Sequence, residues 1–65
     1  MSRDQAIRAA IHLSAVRQVL HVAVQKDCGK FKPSYSVLEE REHHHRCRIW
    51  NDYMAQHHVI WPQGG

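Results

Sequence analysis

Residues 47–61, Cys47-Arg-Ile-Trp-Asn-Asp-Tyr-Met-Ala-Gln-His-His-Val-Ile-Trp61, decide the predicted fold. Steps of three and four residues along this stretch place its large apolar and aromatic side chains on one side of an α-helix. Both tryptophans of the chain lie on this face, and each buries about 150–250 Å² when it is packed. The pattern therefore predicts a helix that presents a seam to a second helix. The residues of this face are Cys47, Trp50, Tyr53, Met54, His57, Ile60 and Trp61.

The predicted second helix extends upstream from this stretch to about residue 37 and ends at about residue 59. Ser36-Val-Leu-Glu39 has the S-x-x-E pattern of a capping box, which is typical of a helix start. Residues 39–48 are almost entirely polar, so only the downstream half of this helix carries the seam. Residues 28–36 contain Gly29 and Pro33 and form the predicted turn. Residues 62–65 form a short tail.

The first predicted helix covers about residues 3–27. Ser2-Arg-Asp-Gln5 has the S-x-x-Q form of a capping box, and no Gly or Pro follows before Gly29. One segment supports a different structure, because residues 19–24 (Val-Leu-His-Val-Ala-Val) are rich in β-branched side chains and alternate as in a strand. The alternative is thus a β-hairpin that turns at residues 27–30. We favour the helix, because the helical pattern continues into this segment without a breaker.

Two long helices joined by a short turn predict an all-α fold, an antiparallel two-helix hairpin that forms a single domain. A chain of 65 residues buries little apolar surface and needs a disulfide framework, a metal or a second subunit for stability. Its two cysteines are too few and too scattered for such a framework. We therefore expect a homodimer that closes into a four-helix bundle. The expected core and dimer contacts involve Leu13, Val16, Leu20, Trp50, Met54 and Trp61.

Composition indicates a folded protein of the cytoplasm. Apolar residues make up 43% of the chain, which is typical of globular proteins. The N-terminal residues lack the apolar core of a signal peptide, and no apolar run approaches the roughly 18 residues of a membrane span. We expect a cytoplasmic location, reduced thiols and no membrane partner.

Histidine and cysteine are the most chemically suggestive residues, yet their pattern argues against catalysis and a metal centre. His43 and Cys47 lie one helical turn apart, a spacing that can chelate Zn²⁺, and the predicted hairpin brings His21 within reach as a third ligand. However, the chain has no C-x₂-C or H-E-x-x-H motif. A long helix also offers neither a pocket nor an oxyanion hole for a Cys47–His43 nucleophile–base pair. We expect a non-enzymatic protein with no metal and no cofactor.

Binding to another macromolecule is the function that this sequence favours. Residues 46–61 concentrate Trp, Tyr, Met and Arg, which are enriched at interface hot spots, although the same side chains also suit a core. We expect a small regulatory or inhibitory protein that binds a partner protein through its dimer. The predicted partner-binding residues are Arg41, His44, His45, Arg46, Arg48, Trp50 and Tyr53.

The alternative function is binding to RNA or DNA. The net charge is +3, and the Arg and His residues of the second helix, with lysines at 26, 30 and 32 in the turn, can contact phosphates. In layout alone, the two-helix dimer resembles the Rop family of small RNA-binding proteins, with which it shares no motif. The alternative is a Rop-like nucleic-acid-binding dimer, in which two-fold symmetry presents the basic strip twice. The chain carries no recognised reader motif, and glutamates at 39, 40 and 42 dilute the strip.

Overall fold

The first helix begins at the capping box that the sequence predicts. In the computed structural model, which describes residues 1–62, helix α1 spans Arg3–Arg17. The backbone N–H of Gln5 donates to the Ser2 hydroxyl at 3.2 Å, and the backbone N–H of Ser2 donates to Gln5 Oε1 at 2.9 Å. These two bonds satisfy amides that have no partner within the helix. The predicted capping box is confirmed.

Helix α1 ends far short of its predicted boundary, because Gln18 adopts a left-handed backbone conformation with a φ of 55°. This conformation is uncommon for a residue other than glycine. The chain then reverses, and the backbone N–H of His21 donates to the Ser14 hydroxyl at 2.8 Å. Strand β1 follows at His21–Lys26. The predicted helix over residues 19–24 is therefore wrong, and the strand alternative is correct from His21 onward.

Strand β1 is the centre of a three-stranded antiparallel sheet with the order β2-β1-β3. Strand β2, Ser34–Glu39, pairs with β1 in a hairpin whose loop covers residues 27–33, with Gly29 at a φ of 66°. Strand β3, His57–Trp61, pairs with the other edge of β1. The fold is therefore a mixed α/β fold. The predicted all-α fold, its antiparallel two-helix hairpin and the four-helix bundle are wrong, because strand pairing of β-branched and aromatic segments replaces the helix seam.

The segment predicted as the second helix contains several elements. Ser36 and Glu39 lie in β2, so the second predicted capping box is wrong. Helix α2 covers Glu40–Ile49, and the one-turn helix α3 covers Tyr53–Gln56. No residue of α2 is buried, in agreement with the polar character of residues 39–48.

The main core lies between α1 and one face of the sheet. Ala6 and Ala10 of α1 and Ala23 of β1 are fully buried. These side chains are small, so the helix backbone approaches the sheet closely and the core is thin. The register between β1 and β3 shifts between Ala23 and Val24, a bulge that leaves Ile60 unpaired. Larger side chains surround the alanines, namely Ile7, Tyr35, Val37, Ile60 and Trp61.

Helix α2 lies over the opposite face of the sheet. Successive residues of a strand point to opposite faces, so Val22 and Val24 point away from α1. Both valines are buried. Val22 lines a cavity of about 220 Å³ together with His43 and His44 of α2 and Val59 of β3. The sheet is thus the middle layer between α1 and α2.

Most of the residues predicted for the core and dimer contacts are exposed. Leu13 is half-buried, and Trp61 packs against the alanine core. The predicted seam between two long helices does not form, because α1 packs on β1 and β2. The remaining four side chains are between 41% and 65% exposed: Val16, Leu20, Trp50 and Met54.

Two further expectations concern the membrane and the tail. Within residues 1–62, every helix is too short or too polar to cross a bilayer. Of the predicted tail at residues 62–65, only Pro62 falls within the described residues.

Replacing Ser14 by Ala tests the reversal between α1 and β1. The backbone N–H of the buried His21 loses its partner, so we expect the free energy of unfolding to fall by about 1–3 kcal/mol. Urea denaturation followed by circular dichroism measures the change. Ser36→Ala is the matched control, because Ser36 is exposed and its hydroxyl forms no hydrogen bond among the described residues. Equal losses in the two variants would contradict the role assigned to Ser14.

Candidate functional site

Tyr53 is the centre of a group of aromatic side chains beneath α2. Its side chain is only 2% exposed. The ring stacks on His57, with centroids 4.0 Å apart and planes 7° apart. His43 and Trp50 meet the same ring at tilted angles, with centroids 5.4 Å and 5.6 Å away. Such pairs add about 0.5–1.5 kcal/mol each beyond the burial of their area. These four side chains and Cys47 are called the Tyr53 cluster below.

Polar contacts link four members of the Tyr53 cluster. The Tyr53 hydroxyl lies 3.2 Å from Nδ1 of His43. Sγ of Cys47 lies 3.6 Å from Nε2 of the same imidazole. On the other side of the tyrosine, Nδ1 of His57 donates to the Tyr53 carbonyl at 2.9 Å. Each ring nitrogen of His43 therefore has a neighbour that orients the ring.

Burial shifts the pKa of two members of the cluster, His43 and Tyr53. Desolvation lowers the pKa of His43, and the nearby positive charges of His44, His57 and Arg46 lower it further. Burial raises the pKa of the Tyr53 hydroxyl, against the opposing effect of Arg46. A partly buried imidazole and a buried phenol are both favoured in their neutral forms. At neutral pH this contact is thus a hydrogen bond between two uncharged groups.

The local sequence explains how the cluster assembles. His43 and Cys47 are one turn apart on α2, and Tyr53 and His57 are one turn apart across α3. Residues 50–52 make a tight turn between the two helices, in which the Tyr53 backbone N–H donates to the Trp50 carbonyl at 3.2 Å. The spacing of three and four residues therefore brings these side chains together, although the turn at residues 50–52 divides the predicted helix into α2 and α3.

The predicted basic strip lies on the exposed side of α2. Arg41, His44, His45 and Arg48 are all exposed and line one cavity of about 400 Å³. Their positions at i, i+3, i+4 and i+7 place them on a single helix face. Glu40 lies 3.9 Å from His44, an exposed pair of little energetic weight.

Arg46 and Trp50 form a second exposed region at the end of α2. The Arg46 side chain donates to Glu42 Oε1 at 3.1 Å, and its guanidinium lies 5.9 Å from the centre of the Trp50 ring, within cation–π range. Ile49 and Trp50 are 56% and 53% exposed. Both side chains line a cavity of about 460 Å³, whose other walls are Lys26, Asn51, Asp52, Tyr53, Gln56 and His57.

The predicted partner-binding residues thus separate into three environments. Four of them surround the cavity on the exposed face of α2, and Arg46 and Trp50 lie at the end of that helix. Tyr53 is buried and supports the surface from below. Sequence reasoning missed Ile49 and Lys26 as cavity-lining residues. The signal that could have found this region is Asn51-Asp52, a pair of turn-forming residues within the predicted helix.

The three metal-ligand candidates do not meet. His43 and Cys47 are in contact, but His21 shares the α1-facing side of β1 with Ala23. Nδ1 of His21 donates to the Val19 carbonyl at 2.7 Å, and its Nε2 is buried without a hydrogen-bonding partner among the described residues. Within residues 1–62, no group of three His, Cys, Asp or Glu side chains could hold a metal ion.

Comparison with known proteins gives no relative: no protein-family model, no curated protein and no solved structure matches this chain. Function therefore has to be inferred from the geometry described above.

Tyr53→Phe tests the hydroxyl contact with His43. The ring is kept and one hydrogen bond is lost, so we expect the free energy of unfolding to fall by about 0.5–1.5 kcal/mol. Tyr53→Ala also removes the stacking on His57, and the expected loss of about 3–5 kcal/mol leaves a chain of this size largely unfolded. Chemical denaturation measures both losses.

Tyr35→Phe is the control for this comparison. The hydroxyl of Tyr35 on β2 forms no hydrogen bond among residues 1–62. We expect the stability of the Tyr35 variant to stay within about 0.5 kcal/mol of the parent chain. A Tyr53→Phe variant as stable as the control would show that the hydroxyl contact has no energetic role.

Proposed function

We propose that this chain is a small non-enzymatic protein that regulates or inhibits a partner protein by binding it. The proposed docking surface consists of the exposed face and the C-terminal end of α2. The observation that carries this proposal is the exposure of Ile49 and Trp50, 56% and 53%, beside a basic helix face. Large apolar side chains exposed next to a polar rim are typical of protein interaction sites. The docking surface is formed by Arg41, His44, His45, Arg48, Ile49 and Trp50.

The charge of this surface favours an acidic partner. Arg41 and Arg48 form no ion pair among the described residues, whereas Arg46 is paired with Glu42. The guanidinium groups of Arg41 and Arg48 are therefore available for bidentate contacts with carboxylates. Complementary charge steers association and selects the partner more than it adds affinity. We expect a partner whose surface combines carboxylates with an apolar side chain.

Trp50 has the features of the main anchor for such a partner. Tyr53 supports the indole from inside, and the Arg46 guanidinium lies near its face. A side chain that is held in place before binding loses less conformational entropy when the complex forms. Trp and Arg are also the residue types most enriched at binding hot spots. The adjoining cavity, which Lys26 and His57 help to line, leaves space for a side chain of the partner.

Trp50→Ala is expected to weaken partner binding by at least about 30-fold, because truncation of a hot-spot residue costs about 2 kcal/mol or more. Arg48→Glu is expected to slow association and to alter its salt dependence. The measurement is affinity capture with identification of the bound protein, followed by calorimetry and binding kinetics on the purified pair.

Two exposed residues away from the docking surface provide controls. Phe31→Ala removes an exposed aromatic side chain from the hairpin loop, and Arg8→Glu reverses a charge on α1. Both variants are expected to bind the partner as the parent chain does. Binding that is insensitive to Trp50→Ala and Arg48→Glu, or equally sensitive to the controls, would reject this surface.

Nucleic-acid binding is the second candidate function, and one observation favours it. The cavity on α2 is lined only by Arg and His side chains, namely Arg41, His44, His45 and Arg48. Lys30 and Lys32 are exposed in the hairpin loop. Phosphate contacts by such residues release counterions and are strongly weakened by salt.

Salt concentration distinguishes the two functions. We expect binding through Trp50 to persist between about 50 and 200 mM salt, because apolar contacts are little affected by screening. Under the nucleic-acid alternative, affinity for RNA or DNA falls steeply over the same range. Replacement of Arg41 and Arg48 then makes the dependence of log affinity on log salt concentration less steep, by about 0.9 for each phosphate contact that is lost. Electrophoretic mobility shifts of RNA or DNA at physiological salt provide the test. A shift that is lost when Arg41 and Arg48 are both replaced would favour nucleic-acid binding over protein docking.

A further inference from the structure

His43 and Cys47 hold two metal-binding atoms at the separation that a zinc ion requires. Nε2 of His43 lies 3.6 Å from Sγ of Cys47. In a tetrahedral site with Zn–N of about 2.0–2.1 Å and Zn–S of about 2.3 Å, these two atoms are about 3.5 Å apart. This separation therefore allows both side chains to bind one zinc ion.

Tyr53 supplies the supporting contact that such a ligand needs. A metal-binding imidazole usually donates its second ring N–H to a neighbouring acceptor, which fixes the tautomer and the ring orientation. The Tyr53 oxygen lies 3.2 Å from Nδ1 of His43 and can accept that proton. Tyr53 itself is buried and stacked on His57, which makes the support rigid.

One chain supplies only half of a zinc site. No third His, Cys, Asp or Glu joins His43 and Cys47 among the described residues, whereas structural zinc takes four ligands. If a second copy of the chain is related to the first by a two-fold axis beside α2, its His43 and Cys47 complete a set of two imidazoles and two thiolates. His43 and Cys47 are both partly exposed, so a second chain can reach them. At about 100° per residue, they lie on a different side of α2 from the basic residues Arg41, His44, His45 and Arg48.

We propose that His43 and Cys47 of two copies of this chain bind one zinc ion and thereby form a homodimer. The ligands are the two His43 Nε2 atoms and the two Cys47 thiolates. Each thiol loses its proton to solvent when the metal binds, so one proton is released per chain. The metal and the second subunit together stabilise a 65-residue chain whose alanine core is thin.

Metal titration of the reduced full chain tests the proposal. With Zn²⁺, we expect saturation at one ion per two chains and a shift from monomer to dimer in sedimentation, reversed by a chelator. With Co²⁺, we expect the near-ultraviolet absorption of a cobalt–thiolate bond and the visible bands of a tetrahedral ion. Saturation at one ion per chain without dimerisation, or the absence of cobalt–thiolate absorption, would overturn the proposal.

Matched variants assign the ligands. Cys47→Ser and His43→Gln are expected to lose both the cobalt signal and metal-dependent dimerisation, while circular dichroism confirms that each variant is folded. Cys28→Ser in the hairpin loop and His58→Gln on β3 are the controls, and both are expected to retain the signal and the dimer. Retention of metal-dependent dimerisation by Cys47→Ser would disprove the assignment.

Discussion

Strand β1 hydrogen-bonds to β2 along one edge and to β3 along the other, and the rest of the structure depends on this pairing. Its residues supply both buried layers, with Ala23 on the α1 side and Val22 and Val24 on the α2 side. The pairing also joins the two halves of the chain, because β1 lies in the first half and β3 lies near the end of the described residues. Backbone hydrogen bonds continue this connection beyond the strands, from Asp27 N–H to the Gln56 carbonyl at 2.7 Å.

The point at which the sequence ceases to predict the fold is Gln18. The capping box that starts α1 could be predicted, because its signal is local and its hydrogen bonds lie within four residues. The end of α1 could not be predicted, because a left-handed Gln has no signature comparable to that of Gly. Residues 19–24 carried a strand signal that only pairing with distant partners could decide, since strand preference depends on tertiary context. Strand β3 depends even more on such partners, because its paired strand β1 is more than thirty residues away in the sequence, as the pairing of Val24 with Val59 shows.

The candidate site was more predictable than the fold around it. Helical spacing assigned Cys47, Trp50, Tyr53 and His57 to one face, and the structure brings these side chains together through α2, a turn and α3. The exposure of α2 also agrees with the sequence, because a run of polar residues predicts an exposed surface without knowledge of distant contacts. What the sequence could not show is which aromatic side chain is buried. Tyr53 is 2% exposed and Trp50 is 53% exposed, and a turn at residues 50–52 separates them where the sequence predicts an unbroken helix.

The distribution of apolar side chains connects folding with binding in this chain. The centre of the core consists of three alanines, whereas Ile49, Trp50 and Met54 are more than half exposed. Burial contributes about 25 cal/mol per Å² of apolar surface, so large exposed side chains represent stabilisation that the isolated chain does not use. A ligand that binds only the folded state adds RT ln(1 + [L]/Kd) to its stability, about 2.7 kcal/mol at a concentration of 100 Kd. That gain is comparable with the roughly 3–5 kcal/mol that a core of this size supplies. A partner protein on Trp50 or a metal at Cys47 would therefore stabilise the fold as well as define its function.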